Sequence, residues 1–287
     1  MLYRAPETTV GTTLRSSVLS ALVLAGTVAC SRAPEVPPDS LEGTDAELPS
    51  ILLITLDTTR ADVLDPESEV GVAPELAALA RRGVRFEQAY STVPTTLPAH
   101  ASMMTGLYPV DHGVRENGRR VSGDLALLAP ALQENGYATA AVVSGFPLDS
   151  EFGLARGFDE YEDEFGDERV ERSAGETTNL ALERLTKLEA GPLFLWVHLF
   201  DPHEPYNPPE PYRSRYPEDP YRGEIAYMDE QVGRLVRGFT ERFQSSPWRI
   251  LIVGDHGEGL GDHGESLHGN LLYQGVMRVP LIIAGSD

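Results

Sequence analysis

Residues 95–106 read Thr95-Thr96-Leu97-Pro98-Ala99-His100-Ala101-Ser102-Met103-Met104-Thr105-Gly106, a hydroxyl pair ahead of a helix-like run that ends at Gly. This layout predicts a hydroxyl at the first turn of a helix, where free backbone N–H groups and the dipole favour anions. Such a hydroxyl can only cap the helix, or it can attack an anionic ester if a metal or a base activates it. Three apolar runs elsewhere end in groups that could provide the metal. Ile51 to Leu56 runs into Asp57, Leu193 to Leu199 into Asp201 and His203, and Arg249 to Val253 into Asp255 and His256. Carboxylates with neutral imidazoles suit a divalent cation, and mixed O and N donors do not choose sharply among Ca, Mg, Mn and Zn.

The elements that must position these groups follow from periodicity. Strands are expected at Ile51 to Leu56, Val84 to Ala89, Tyr137 to Val143, Leu193 to Leu199, Arg249 to Val253 and Val279 to Ile283. Helices are expected at Ala73 to Arg82, Leu125 to Glu134, Thr177 to Leu188 and Ile225 to Phe243. Strands alternating with helices imply an α/β fold with a mainly parallel central sheet flanked by helices. In such sheets ligands gather at the carboxyl ends of the strands, where the three polar clusters fall.

Composition narrows the partners. With 44 acids against 23 bases the net charge is −21, so no basic stripe exists for nucleic acid, and none is expected as a partner. An anionic ester substrate would need a local positive centre, such as a metal ion. The single cysteine, Cys30, excludes an internal disulfide. Arg4 and Arg15 precede a short apolar run, Val18 to Val28, and then Ala29-Cys30. That pattern reads as a secretory signal over 1–29, and Thr27-Val28-Ala29-Cys30 resembles a bacterial lipobox. Lipid on Cys30 would hold the protein to a membrane at the bacterial cell envelope. Residues 30–49, rich in Pro, Ser and acids, read as a disordered tether, and 50–287 as the catalytic domain.

The chain is similar to the sulfatase family of the alkaline phosphatase superfamily. The resemblance rests on Ile51–Asp62, on Thr96-Leu97-Pro98-Ala99-His100 with Thr105-Gly106, on Asp201–Tyr206, and on Asp255-His256-Gly257 with Leu260–Gly264. It implies one divalent metal ion held by Asp57, Asp255, His256 and Thr96, with Thr96 as nucleophile. It places His203 and His268 at the substrate's charged oxygens or leaving group, and His100 and Asn117 at further polar contacts. His112 and His263 read as loop-structuring residues, and His198, inside an apolar strand, as a core or supporting histidine.

Three positions depart from the family pattern. Thr96 stands where the family carries the Cys or Ser that becomes formylglycine; oxidising a secondary alcohol gives a ketone, so no formylglycine is expected. Thr58 and His100 stand where many relatives have Asp and Arg. The resemblance implies a hydrolase of sulfate or phosphate esters acting through a covalent Thr96 intermediate. The alternatives are an envelope phosphotransferase moving a phosphorylated headgroup to a glycan or lipid, and a binding lipoprotein that keeps the fold without turnover. Family members usually continue with more sheet and a C-terminal subdomain, so the resemblance also implies a short or missing C-terminal part.

Overall fold

The computed structural model describes residues 47–64, 71–166, 169–187 and 191–286. The signal segment, Cys30 and the tether as far as Ala46 lie outside the described residues, as does Leu188 at the expected end of one helix. In chain order the strands are β1 (Ser50–Leu56), β2 (Val84–Arg85), β3 (Ala89–Tyr90), β4 (Ala138–Val142), β5 (Glu160–Glu162), β6 (Leu193–Leu199), β7 (Trp248–Gly254), β8 (Arg278–Val279) and β9 (Leu281–Gly285). The helices are α1 (Pro74–Arg82), α2 (Thr96–Thr105), α3 (Pro109–His112), α4 (Leu128–Glu134), α5 (Ala174–Lys187), α6 (Tyr212–Arg215), α7 (Pro220–Arg242) and α8 (Gln274–Met277).

The main sheet has the order β2-β9-β7-β1-β6-β4-β5. The five strands from β7 to β5 run parallel, and β9 and β2 add an antiparallel edge. Alternation along the strands builds two cores. Leu52, Ile54, Leu56, Leu195, Val197, Ile250 and Ile252 face α1, α5 and α7. Leu53, Ala141, Val143, Phe194, Trp196 and Leu97 of α2 fill the opposite face. A strand buried on both faces carries no polar alternation, which is why β1 and β6 read as continuous apolar runs.

This parity positions the site. Leu53, Thr55 and Asp57 share a phase, as do Leu251, Val253 and Asp255, and Trp196 and His198. All of them therefore turn toward the α2 face. The register pairs Leu56 with Gly254 across the parallel β1–β7 ladder, so Asp57 and Asp255 leave adjacent strands at the same level.

Two of the expected strands prove to be composite. The 84–89 run divides between β2, paired with β9, and β3, paired with β8 in a separate two-stranded sheet. The 279–283 run divides at Pro280, which has no N–H to give a ladder. The helix expected from Leu125 begins at Leu128, which puts Pro130 in its first turn, where a missing N–H is tolerated. The helix expected from Ile225 starts earlier, at Pro220, capped by the Asp219 side chain on the Arg222 N–H.

Candidate active site

Asp57 follows β1 directly, and the chain then turns sharply through Thr58, whose φ of 44° is left-handed. That conformation is strained for a β-branched residue and needs support. Tyr221 of α7 provides it, donating its hydroxyl to the Thr58 carbonyl at 2.9 Å and accepting the Arg60 N–H at 3.1 Å. The Thr58 hydroxyl donates to the Pro202 carbonyl, so it is turned away from Asp57 and is spent on fixing the neighbouring loop.

Asp57, Asp255 and His256 are completely buried, and one ligand atom from each lies within 4.8 Å of the other two. His256 Nε2 is 3.8 Å from Asp57 Oδ1 and 3.6 Å from Asp255 Oδ2. These three atoms have no hydrogen-bond partner. Burying two carboxylate oxygens and an imidazole nitrogen unpaired is costly, and three such orphans rarely converge. A divalent cation would satisfy all three at once, so the donor set fits the expected metal.

The remaining atoms of the cluster are engaged. Asp57 Oδ2 meets His198 Nε2 at 3.2 Å and accepts the Thr96 hydroxyl at 3.3 Å. Asp255 Oδ1 accepts the His256 N–H at 2.7 Å, and His256 Nδ1 lies 3.0 Å from the Gly257 carbonyl, which leaves Nε2 as the ligating nitrogen. A second group, His100, His198 and Asp255, is also close enough to bind an ion. Its histidines already have partners, so it is the poorer candidate.

The electrostatics follow from crowding two acids into one dry space. Burial alone would raise the Asp57 carboxyl, but the His198 hydrogen bond and the His256 and His203 rings hold it below the usual range. Burial, and then the charge of Asp57, push the Asp255 carboxyl well up. Burial lowers His256 to about 4, so its ring is neutral and able to ligate.

Thr96 opens α2, and Thr95 before it makes no side-chain cap bond. The helix start offers less to an anion than the sequence suggests. Asn117 Oδ1 accepts the Leu97 N–H at 2.9 Å, Pro98 has none, and the Ala99 N–H goes to the Thr95 carbonyl. Asn117, expected at a polar contact to the substrate, thus caps α2 from outside.

His100, expected at the substrate, is fully buried. Its Nδ1 lies 2.8 Å from the Thr96 carbonyl and its Nε2 2.9 Å from the Thr55 hydroxyl, which also accepts the Trp196 indole N–H at 3.0 Å. Burial, aided by His198, lowers its pKa to about 3. Both nitrogens are used inside the protein, so His100 props Thr96 from below.

His268 Nδ1 lies 3.2 Å from Glu258 Oε1, and its ring centroid is 4.4 Å from that of His256. Burial lowers the imidazole, but the Glu258 hydrogen bond and charge outweigh it and raise the pKa above the ordinary value. His203 lies 5.4 Å from His268 and stacks on Phe200 at 4.3 Å, with Nδ1 held by the Glu204 carbonyl at 2.8 Å.

Asp201, grouped above with the other strand-end acids, does not join them. Its Oδ2 accepts the Ala174 N–H at 2.6 Å and caps α5. His112 bonds Ser102 and the Val114 N–H, and His263 stacks on Tyr273, both away from the cluster.

Two supporting residues have no counterpart in the sequence reading. Glu258, fully buried, braces His268 and accepts the Tyr206 hydroxyl at 2.9 Å. Ser144 lies 3.4 Å from His198 Nδ1. An acid between two glycines in a loop beside Asp255-His256 was the available signal for Glu258; Ser144 had none.

The fold and site together define an α/β protein with a candidate cation site at the strand ends beside a helix-borne hydroxyl. The sulfatase family profile matches residues 49–287, and the chain belongs to that family. It is 27% identical to the choline-sulfatase of Rhizobium meliloti, over 83% of this chain and 62% of that protein. The chain therefore spans somewhat less than two thirds of that relative's length. In fold it is similar to the putative sulfatase yidJ of Bacteroides fragilis, with a TM-score of 0.68 at 19% identity, covering 85% of this chain and 70% of that one. It is also similar to the phosphonate monoester hydrolase of Agrobacterium radiobacter, with a TM-score of 0.66 at 21% identity, covering 82% and 68%.

Proposed function

We propose that this chain hydrolyses sulfate or phosphate esters through a covalent ester on Thr96, with one divalent cation held by Asp57, Asp255, His256 and the Thr96 oxygen. The observation that carries the reading is the convergence of three unpaired buried ligand atoms beside the Thr96 hydroxyl. When bound, the cation would supply the positive centre that lowers the Thr96 hydroxyl's pKa and offsets the charge of an anionic ester.

The chain's own residues supply the rest. Asp57 Oδ2 and the His100 contact to the Thr96 carbonyl fix the hydroxyl's position. The Thr96 hydroxyl gives its proton to Asp57 Oδ2 as its oxygen attacks phosphorus or sulfur, and the bond to the leaving alkoxide breaks on the opposite side. His268, whose pKa the Glu258 hydrogen bond and charge raise against burial, gives its Nε2 proton to that oxygen. Water, losing a proton to the now neutral His268, then attacks the same phosphorus or sulfur, and the departing Thr96 oxygen takes its proton back from Asp57 Oδ2. Hydrolysing a covalent ester of Thr is familiar for phosphoryl groups, which favours phosphorus over sulfur.

The test is a panel of aryl sulfate, phosphate monoester, phosphate diester and phosphonate substrates assayed with Mn, Mg, Ca and Zn. Thr96→Ala should lower kcat by on the order of a thousandfold or more, and Thr96→Ser should keep part of it. Acid quench and mass spectrometry should find the sulfated or phosphorylated Thr96 peptide. Unchanged turnover in Thr96→Ala would sink the covalent route.

A further inference from the structure

His198 is the one polar side chain in β6 and is fully buried. A buried imidazole must find partners for its ring nitrogens. Its Nε2 lies 3.2 Å from Asp57 Oδ2. An ionised carboxylate only accepts, so Nε2 carries the proton of this contact. Ser144 leaves that orientation undisturbed: its hydroxyl donates to the His198 carbonyl, and its oxygen stands 3.4 Å from Nδ1. The β1–β6 ladder pairs Thr55 with His198, and Asp57 lies two residues on from Thr55 on the same face. The sheet register therefore sets this contact.

The two oxygens of Asp57 are consequently unequal. Oδ2 takes two donors, the His198 Nε2–H and the Thr96 hydroxyl, while Oδ1 takes none and lies 3.8 Å from His256 Nε2. A hard cation accepts either one carboxylate oxygen or both. With no second donor on Oδ2, the carboxylate could turn about its Cβ–Cγ bond and offer both oxygens to a cation. Oδ2 would then be lost to Thr96, both as the group that orients the hydroxyl and as the acceptor of its proton.

We propose that His198 is a positioning residue that divides the work of Asp57, holding Oδ2 for Thr96 and leaving Oδ1 for the cation. The inference rests on the ester-hydrolase reading for the part played by Thr96, but the division of the carboxylate is readable from the cation without turnover. The rival role is ligation, since His100, His198 and Asp255 are close enough to hold an ion themselves. A His198 that ligated through Nε2 would have to release Asp57.

The experiment compares wild type with His198→Gln and His198→Met. The Gln amide nitrogen can donate to Oδ2 much as Nε2 does, whereas Met fills the space and cannot, and thermal melts of the chelated proteins check that both fold. His198→Met should lower kcat by about 10- to 100-fold with KM little changed, and His198→Gln should recover most of the loss. Calorimetric titration with Mn should find the same number of ions in all three proteins, with binding to His198→Met as tight as to wild type or tighter. Bound Co absorbs visible light more weakly as its coordination number rises, so its band should weaken in His198→Met and not in His198→Gln. If no ester is cleaved but the Co band behaves in this way, the assignment of His198 stands and the hydrolase reading falls. An unchanged kcat or an unchanged Co band in His198→Met would overturn the assignment, as would a wild type that binds neither ion. Loss of an ion, or binding weakened a hundredfold, in His198→Met would make His198 a ligand instead. Should His198→Met not fold, histidine ¹⁵N spectra of chelated wild type decide: a His198 ring protonated at Nε2 supports the assignment, and one protonated only at Nδ1 refutes it.

Discussion

Replacing Asp255 with Asn separates cation binding from folding. In wild type without metal, Asp57 Oδ1, Asp255 Oδ2 and His256 Nε2 crowd together unpaired. A cation present at a hundred times its Kd adds about 2.7 kcal/mol to stability. For the compact unit Ala46–Asp287, unfolding entropy near 2.1 cal/mol/K per residue amounts to about 0.5 kcal/mol/K, so Tm should rise by about 5 °C. The introduced amide would still accept the His256 N–H through its oxygen, while its nitrogen places a neutral donor where the Asp255 Oδ2 had been, facing Asp57 and His256. Chelated Asp255→Asn should therefore melt at or above chelated wild type. Losing one of the four proposed side-chain ligands and its charge should weaken the cation at least a hundredfold. The shift at the same metal concentration then falls to about 0.4 kcal/mol, or under about 1 °C. Differential scanning calorimetry on chelated protein, with Mn, Mg, Ca or Zn chloride added in turn, checks this. A wild type that no metal stabilises, or a variant that shifts as far as wild type, would refute the assignment of these three residues.

Two further predictions concern the scaffold. Arg172 is 5% exposed, pairs with Glu162 at 3.1 Å and donates to the Val143 and Glu162 carbonyls. Arg172→Ala should cost about 1–3 kcal/mol in urea unfolding, because the buried Val143 carbonyl loses its donor while Glu162 keeps Arg184 at 2.7 Å. Asp229 of α7 accepts the Glu75 and Leu76 N–H groups at the start of α1, and burial, against those amides, raises its carboxyl to about 7. A raised folded pKa means stability that is full below the unfolded value and lost as pH rises through about 7. Asp229→Asn removes that loss, so its stability relative to wild type should improve between about pH 5 and pH 8 in urea melts; a constant difference would contradict it.

The parts legible in the sequence were those that depend on local pattern. Asp57 and Asp255 each follow an apolar run, and strand alternation assigns both to the same face. The Asp255-His256-Gly257 loop was equally visible, and Gly257 proves necessary for space, since a Cβ there would collide with the Gly275 carbonyl. What failed depended on distant partners. Asp201 looked like Asp57 but met the N-terminus of α5, which lies before it in the chain. His100 lies on a helix buried nearly all round, so no apolar stripe distinguished an inward histidine from an outward one. Val84 to Ala89 read as one strand because nothing in it shows that its two pairing partners flank Pro280.

The proposed cation site and the proposed nucleophile belong to different parts of the fold. Asp57 and Asp255 are set by the β1–β7 register, whereas Thr96 stands on α2, joined to them by one 3.3 Å contact. Under the proposed function, the residue at 96 can therefore be exchanged without disturbing Asp57 and Asp255. A lineage could change how it breaks an ester by altering a single helix position. An experimenter could follow the same route, placing Ser or Cys at 96 while leaving Asp57 and Asp255 unaltered and comparing the chemistries directly.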